Sequence, residues 1–374
     1  MSRAELIRII KSSKLHFRSA NWKENMFMAE QGLYSDDFCS VFLDEARLDA
    51  EKIEESGNWL DRPATKDELG TLDIEIGEMK EGDKCRIGIN FKTPKNILIE
   101  SAAGKGKTVC TRNICMNIDK ANQTQKDNPT LLCIIDLKND YIDLRDKLIG
   151  DTVIYSVHDN LRLGLNGPEN VAPYIWAGQQ SLSLAGRIGI INARMVLTSI
   201  IAELLLLLNH GLKEEDLNNP SVSKHLIWPP LELILEVTQH GKIMDIFSSK
   251  AGYSQSLSQS LCGLLQDSGK LLSCCNGFDI NTAFEKKQHC IIHAPNLPAY
   301  VAHVITDTFI NQVLIKRLAE NYKTDHTDIL FVLDESDLIL ESDISHFTDL
   351  SPLDKLFRLG REMGLMSCVC ISGI

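Results

Sequence analysis

Short runs of nearly continuous apolar residues recur along the chain, and polar or turn-forming residues bound each of them. Such runs are typical of parallel strands that are buried on both faces of a sheet. Because longer segments of helical character separate them, the pattern predicts an α/β fold in which helices cover a parallel sheet. The six predicted strands are residues 96–100, 131–136, 152–157, 289–294, 329–334 and 365–372.

The segment from about residue 171 to 285 contains no comparable run, and its apolar positions recur at helical spacing. The predicted helical stretches are 188–209, 226–239 and 254–265. The most apolar stretch, Ile200–Leu208, covers about half of the roughly 20 residues that a membrane helix needs. It also contains Glu203. We therefore expect an all-helical insertion that divides the sheet domain into 96–170 and 286–374, with this stretch as a buried helix.

Residues 1–70 alternate short apolar groups with acidic runs, which predicts a small accessory region. Within 41–56 the apolar residues follow a loosely helical spacing. After Arg62 and Pro63 the pattern changes to the alternation expected of strands. Two strands, 72–79 and 84–91, are predicted around a turn, so that 71–95 forms a β-rich segment leading into the sheet domain.

Composition limits the functions that the chain can have. It has 374 residues, of which 44% are hydrophobic and 24% charged, enough for a sizeable core and for two or three packed units. The formal net charge is −12. Non-specific coating of nucleic acid depends on many Lys and Arg side chains. The charge therefore excludes that role, and any contact with DNA has to be local.

Cysteine usage and the N-terminus both indicate the cytoplasm. The eleven cysteines are an odd number and include no CxxC pair, a pattern that suits neither a zinc site nor a disulfide framework. The N-terminal sequence MSRAELIRIIKSSK lacks the apolar core of a signal peptide. We expect reduced thiols in a cytoplasmic protein without a membrane segment.

The sequence SAAGKGKT, residues 101–108, differs by one residue from the phosphate-binding loop pattern GxxxxGK[ST]. A predicted strand precedes it and a predicted helix follows, which is the context that such a loop requires. Backbone N–H groups at a helix N-terminus would surround the phosphates of ATP. The alternative, a helix start that contains GKGK by coincidence, does not explain the strand. The predicted nucleotide-binding residues are Ser101, Ala102, Ala103, Gly104, Lys105, Gly106, Lys107, Thr108 and Val109.

Roles within this loop follow from residue chemistry. Gly104 and Gly106 would allow a close approach of the backbone, and Lys107 would reach the β- and γ-phosphates. The Thr108 hydroxyl would hold Mg²⁺. Ser101 stands where the pattern has its first glycine. That glycine mainly serves turn geometry, so we expect the substitution to be tolerated.

A second acidic element follows the predicted strand ILFVLD. Asp334 comes at its carboxyl end, where it would orient the hydration shell of Mg²⁺. Glu335 would act as general base toward the attacking water. The alternative is an acidic surface turn, DESD. The phosphate loop upstream favours the catalytic interpretation.

The order of these elements resembles the FtsK–HerA superfamily of DNA-pumping ATPases, with HerA-like proteins as the nearest branch. The resemblance spans about 70–374 and depends on the succession IEIGEM, SAAGKGKT, IIDLKNDY, a helical insertion, HCIIHAPNL, FVLDESD and RLGREMGLMSCVCIS. In that group the strand after the loop ends in Asp followed by Lys or a similar residue, matched by Asp136 and Lys138. Where the family's sensor strand ends in Thr-Gln or Ser-Gln, this chain has Ser372-Gly373, so the glutamine's role does not carry over.

The resemblance implies a RecA-like P-loop NTPase fold and a ring, a homo-hexamer, that hydrolyses ATP at subunit interfaces. It also implies double-stranded DNA in a central pore, for translocation or unwinding, and a nuclease or other effector protein as partner. Arg361, or as a second choice Arg358, matches the arginine that reaches the nucleotide of a neighbouring subunit. Such an arginine stabilises the charge on the γ-phosphoryl group.

Two alternatives stay open. A conjugation or secretion ATPase of the same fold would move protein or a protein–DNA complex; coupling proteins of that kind usually carry N-terminal membrane helices, and none is predicted here. A nucleotide-binding scaffold without turnover is suggested by Ser101 and the missing glutamine. No NKxD-type stretch supports a GTPase. Because the sequence stops at the last predicted strand, we expect this strand to lack a further strand to pair with and a helix to cover it, and hence the natural protein to continue beyond residue 374.

Overall fold

The fold is taken from a computed structural model of the chain. The residues that the structure describes are 2–13, 15, 20–55, 74–78, 86–89, 96–102, 104–124, 127–188, 193–240, 251–268, 271–334 and 352–372.

Within the described residues, eight strands form two sheets. They are β1 (Ile74–Glu78), β2 (Arg86–Ile89), β3 (Ile97–Ser101), β4 (Leu131–Asp136), β5 (Thr152–Ser156), β6 (His289–His293), β7 (Thr324–Leu333) and β8 (Met363–Ser372). The first two pair with each other. The other six make a sheet of order β3-β8-β7-β4-β6-β5, in which every neighbouring pair is parallel. This confirms the predicted parallel sheet, and each of the six predicted strands is present.

The last strand lies inside the sheet. β8 pairs with β3 on one side and with β7 on the other. Its side chains also serve both faces, since Met366 and Cys368 belong to one buried cluster and Leu365 and Val369 to another. The expectation that this strand lacks a pairing partner and a covering helix is therefore wrong.

Helices cover both faces of the six-stranded sheet, which confirms the predicted fold class. Three helices, α1 (Ser2–Ser12), α2 (Ala20–Glu30) and α3 (Asp36–Glu55), belong to a separate unit with its own core, which is described below. The helices that follow in the chain are α4 (Lys107–Asn122), α5 (Pro173–Ile188), α6 (Ala193–Leu208), α7 (Leu231–His240), α8 (Ala251–Ser268), α9 (Asn281–Glu285), α10 (Ala299–Ala319) and α11 (Pro352–Leu359). On one face, Ile114 and Ile118 of α4 pack on the sheet. The opposite face packs against the helices of the 173–268 region and against α10. The predicted buried helix at 200–208 is part of α6, where Leu204 and Leu205 are buried.

A buried hydrogen-bonded pair, Asp119 and His289, fixes the end of α4 against the sheet. Asp119 Oδ1 lies 3.0 Å from His289 Nε2, and the backbone N–H of Leu132 donates to His289 Nδ1 at 3.1 Å. The Nε2 atom therefore carries the proton that is shared with Asp119. Burial opposes the charge on Asp119, but hydrogen bonds from His289 and from the amides of Ile149 and Gly150 lower the pKa of Asp119. The pair holds the helix that follows the glycine loop.

The chain divides into two compact units, one of residues 1–72 with 77–88 and one of residues 73–76 with 89–374. The first unit has its own helical core, which includes Leu6, Ile10 and Trp22. The indole N–H of Trp22 donates to Asp49 at 3.1 Å. Apolar burial and this hydrogen bond join α2 to α3 within the unit.

Two findings concern the apolar character of the helices and the state of the cysteines. Among the described helices, none combines the length and the apolar character needed to cross a bilayer. The cysteines within the described part of the chain are free thiols, and most are buried. Burial raises the pKa of Cys115 to about 12, so this thiol stays protonated at neutral pH.

Candidate nucleotide-binding site

The candidate site lies at the carboxyl edge of the six-stranded sheet. Because the strands are parallel, their carboxyl ends meet at this edge, which is where ligands bind in α/β folds. The glycine loop follows β3, and Asp334 directly follows β7. Only β8 separates these two strands. The sheet thus brings together two segments that are far apart in the sequence.

The glycine loop has the backbone of an anion-binding turn. Gly104 and Gly106 have φ angles of 72° and 89°, in the left-handed region that favours glycine. Gly106 is the N-cap of α4, and its carbonyl accepts from the N–H of Cys110 at 2.9 Å. The first N–H groups of a helix have no partner within that helix and attract phosphate oxygens. The loop therefore offers donors at the edge of the sheet.

Ser101 occupies the last position of β3 and pairs with Ser372 of β8. Any residue type can adopt the extended backbone conformation of a strand, so position 101 does not require glycine. The deviation from the loop pattern has a simple structural explanation. Ala103 lies outside the described residues, while Lys105 and Val109 are exposed.

Lys107 is the first residue of α4, and its ammonium group lies 3.5 Å from the carbonyl oxygen of Ala102 in the same loop. The side chain is only partly buried. Its charge therefore lies beside the backbone of the glycine loop.

Thr108 and Asp334 are in direct contact. The Thr108 hydroxyl donates to Asp334 Oδ2 at 2.9 Å, although the two residues are 226 positions apart. Asp334 is 6% exposed. A hydroxyl and a carboxylate are the hard oxygen ligands that Mg²⁺ prefers. The donor set thus fits a magnesium ion bound together with a nucleotide.

Asp136, at the end of β4, holds the loop that follows it. Its carboxylate accepts hydrogen bonds from the backbone N–H groups of Lys138, Asp140 and Tyr141 at 3.3, 3.0 and 3.0 Å. Asp136 is 1% exposed. Its observed role is therefore to shape residues 137–141, which we call the β4 loop.

The β4 loop brings a second acidic side chain toward the site. Burial raises the pKa of Asp140, and the neighbouring carboxylates of Asp136 and Asp334 raise it further. These three carboxylates create a negative field at the carboxyl edge. Such a field favours a bound cation.

The sequence interpretation did not single out Tyr141. Its hydroxyl donates to Asp334 Oδ2 at 2.8 Å, and its side chain is buried. Burial, followed by the charge of Asp334, raises the pKa of Tyr141, so the hydroxyl remains a donor at any physiological pH. The segment DLKNDY at the end of β4 was the available signal, but nothing in it points to Asp334.

The two remaining catalytic candidates have different positions. Glu335 lies outside the described residues. Arg361 is exposed in a short 3₁₀ turn, Gly360–Glu362, immediately before β8, and therefore lies at the amino edge of the sheet. Arg358 is exposed near the end of α11. The structure places Arg361 away from the carboxyl edge of the sheet, where the glycine loop and Asp334 lie.

We expect Gly106→Ala to lower the affinity for ATP about tenfold. A Cβ atom at Gly106 would meet no atom within 4 Å, so the penalty comes from the backbone, about 1–2 kcal/mol for a left-handed non-glycine residue. The free loop of the variant is expected to relax out of this conformation, so that ATP binding has to restore it. Gly211→Ala is a matched control, with φ at 91° and equally open space in the turn after α6. Binding of a fluorescent ATP analogue checks both variants. Equal affinity in the wild type and in both variants would show that the conformation of this loop does not matter for binding.

The fold is similar to that of solved proteins at low sequence identity. The bacterial conjugative coupling protein TrwBdeltaN70, in a trigonal form with sulphate, gives a TM-score of 0.51 at 15% identity over 84% of this chain and 69% of that chain. Its unbound monoclinic form gives 0.50 at 13% identity over 83% and 66%. VirB4 of Thermoanaerobacter pseudethanolicus gives 0.52 at 12% identity over 80% and 77%. At these identities the likeness establishes the fold alone. No protein-family model matches the sequence, and no curated protein matches it either.

Proposed function

We propose that this chain is a Mg²⁺-dependent ATPase that acts as a motor of the conjugation or secretion type, in which ATP hydrolysis drives the transfer of protein or of a protein–DNA complex. The observation that carries the ATPase part is the 2.9 Å hydrogen bond between Thr108 and Asp334. It places the end of a glycine loop beside a strand-end carboxylate. This is the pair of groups that phosphoryl transfer with magnesium requires.

Each residue has a definite task in this proposal. The amides of the glycine loop and Lys107 bind and orient the β- and γ-phosphates. Thr108 and Asp334 hold Mg²⁺, which neutralises charge on the phosphate oxygens when it is bound. Glu335 takes the proton of the attacking water.

The nature of the substrate is the finer part of the proposal. The likeness of the fold to a conjugative coupling protein and to VirB4 supports the conjugation or secretion reading. The HerA-like reading, a cytoplasmic hexameric ring that pumps or unwinds double-stranded DNA with a nuclease or another effector, is the second candidate. It is motivated by the order of sequence elements from 70 to 374. Both hypotheses require a ring, because in each of them Arg361 reaches the nucleotide that is bound by a neighbouring subunit.

Phosphate release by the wild type and by Glu335→Gln tests the enzymatic part. We expect measurable turnover in the wild type and a loss of about 100-fold in the variant, because removal of a general base typically costs 10²–10⁴-fold. Equal and negligible rates in both proteins would favour a nucleotide-binding scaffold.

Stimulation of ATP turnover by DNA distinguishes a motor that pumps DNA from an ATPase that transfers protein. Linear, protein-free double-stranded DNA should raise the rate of a DNA pump. A transfer ATPase that acts on protein should not respond to bare DNA. Molecular mass in solution with and without ATP and DNA tests the ring, and a monomer under every condition would exclude both readings.

A further inference from the structure

Tyr141 donates to the same carboxylate oxygen that Thr108 contacts. The two hydroxyl groups lie 2.8 and 2.9 Å from Asp334 Oδ2. Thr108 belongs to the nucleotide loop, whereas Tyr141 belongs to the β4 loop. Asp334 is thus oriented by a second donor that is independent of the glycine loop.

The β4 loop holds this second donor firmly. The N–H of Tyr141 donates to Asp136 Oδ2 at 3.0 Å, and the tyrosine side chain is only 1% exposed. Backbone and ring are therefore both fixed. A donor held in this way can set the direction of the carboxylate that it contacts.

The helix after the glycine loop clamps the other end of the β4 loop. Arg112 of α4 donates to the carbonyl oxygen of Asp140 at 2.7 Å. Its guanidinium group also contacts both carboxylate oxygens of Asp143, at 2.7 and 2.6 Å. Both contacts come from one nitrogen, Nη2, and they are charge-assisted, which makes them stronger than hydrogen bonds between neutral groups. Tyr141 thus sits between two anchors, Asp136 and the Arg112 clamp.

We propose that Tyr141 is a positioning residue for magnesium, whose hydroxyl holds the Asp334 carboxylate in the orientation that the ion requires. This inference rests on the proposed function, since it assigns Tyr141 to the same site. Outer partners of metal ligands typically contribute 10–100-fold to metal affinity. A role in packing alone predicts a different result, because phenylalanine at this position would fill the same space.

Tyr141→Phe in the full chain tests the proposal, and Tyr322→Phe is a matched control. The Tyr322 hydroxyl also donates to a carboxylate of β7, Asp328 Oδ2 at 2.7 Å, but at the amino half of the strand. The first readout is the affinity for a fluorescent ATP analogue, measured with saturating Mg²⁺ and with EDTA. The second is the Mg²⁺ concentration that gives half of the magnesium-dependent gain in binding.

We expect Tyr141→Phe to need about tenfold more Mg²⁺ than the wild type, with unchanged affinity in EDTA, and Tyr322→Phe to behave as the wild type. An unchanged Mg²⁺ requirement in Tyr141→Phe would overturn the positioning role while leaving the ATPase proposal intact. So would an equal loss of affinity with and without Mg²⁺, since that result indicates packing. Absence of any nucleotide binding by the wild type would instead overturn the proposed function, and the inference with it.

Discussion

Replacing Asp334 with asparagine should lower ATP turnover at least about 100-fold, because a magnesium ligand contributes several kcal/mol to stabilising the charge of the transition state. Asparagine keeps an oxygen that can accept from Thr108 and Tyr141, both within 2.9 Å of Oδ2 in the wild type. The variant therefore removes the charge and retains the local shape. Phosphate release at saturating ATP and Mg²⁺ is the measurement.

Asp328→Asn is the matched control for this experiment. Asp328 lies on the same strand, and its carboxylate pairs with Arg317 at 2.8 Å. It is separated from the carboxyl edge by the apolar half of β7. We expect this variant to lose some stability and to keep its turnover. If Asp334→Asn retained turnover within tenfold of the wild type, Asp334 would not be the magnesium ligand.

In the ring that we propose, Arg361→Ala should reduce turnover about 1000-fold and leave ATP affinity nearly unchanged, as expected for an arginine that acts on the transferring phosphoryl group. Arg361 precedes β8, which is 10 residues long. At about 3.3 Å per residue, the two ends of that strand are roughly 30 Å apart. An arginine on the amino edge cannot reach a nucleotide on the carboxyl edge of its own subunit, so the effect has to come from a neighbour.

Mixing two inactive variants tests this geometry directly. Subunits with Arg361→Ala keep Glu335, and subunits with Glu335→Gln keep Arg361. In a mixed ring, some interfaces combine an intact arginine with an intact glutamate. We expect activity to reappear on mixing, with neither variant active alone.

The control for the arginine is Lys323→Ala, since Lys323 is an exposed cation 3.9 Å from Glu362, beside Arg361. It should leave turnover unchanged. Arg358→Ala tests the second choice for the finger. If Arg361→Ala retains full turnover in an assembled ring, the assignment is wrong, whatever the result for Arg358.

The strands were predictable because burial on both faces demands nearly unbroken apolar runs. The observed β4, Leu131–Asp136, coincides with the predicted run. β7 begins five residues earlier than predicted, since its first part, Thr324–Asp328, is polar and alternates in burial. Because these residues do not form a continuous apolar run, the pattern that predicts the other strand positions does not detect them. A register irregularity between Thr324 and Ile329 also separates it from the rest of the strand.

The order of the strands was not predictable from the sequence. The pattern of apolar residues predicts that a strand exists, but it does not indicate which other strand lies beside it in the sheet. The placement of β8 between β3 and β7 depends on contacts across almost the whole chain. The mistaken expectation about the last strand has the same origin, because position in the sequence was used as a guide to position in the sheet.

Residues of the candidate site were predictable where their immediate sequence neighbours indicate a role. They were not predictable where the role depends on a partner that is distant in the sequence. The glycine loop and Asp334 each stand out by residue type after an apolar run. Tyr141 does not, since its partner lies 193 positions away. The sequence predicts that Ser101 is tolerated, whereas its place at the end of β3 beside Ser372 could be known only from the sheet register.

The pairing of β3 with β8 also constrains biosynthesis. A ribosome releases β3 early and β8 only after more than two hundred further residues. Until then, the growing polypeptide cannot bring its glycine loop beside Asp334 through the completed sheet, and long-range parallel pairing of this kind forms slowly. The nascent chain therefore passes through a stage in which the edges of β3 and β7 that face β8 are unpaired, and unpaired strand edges of this kind are prone to aggregation.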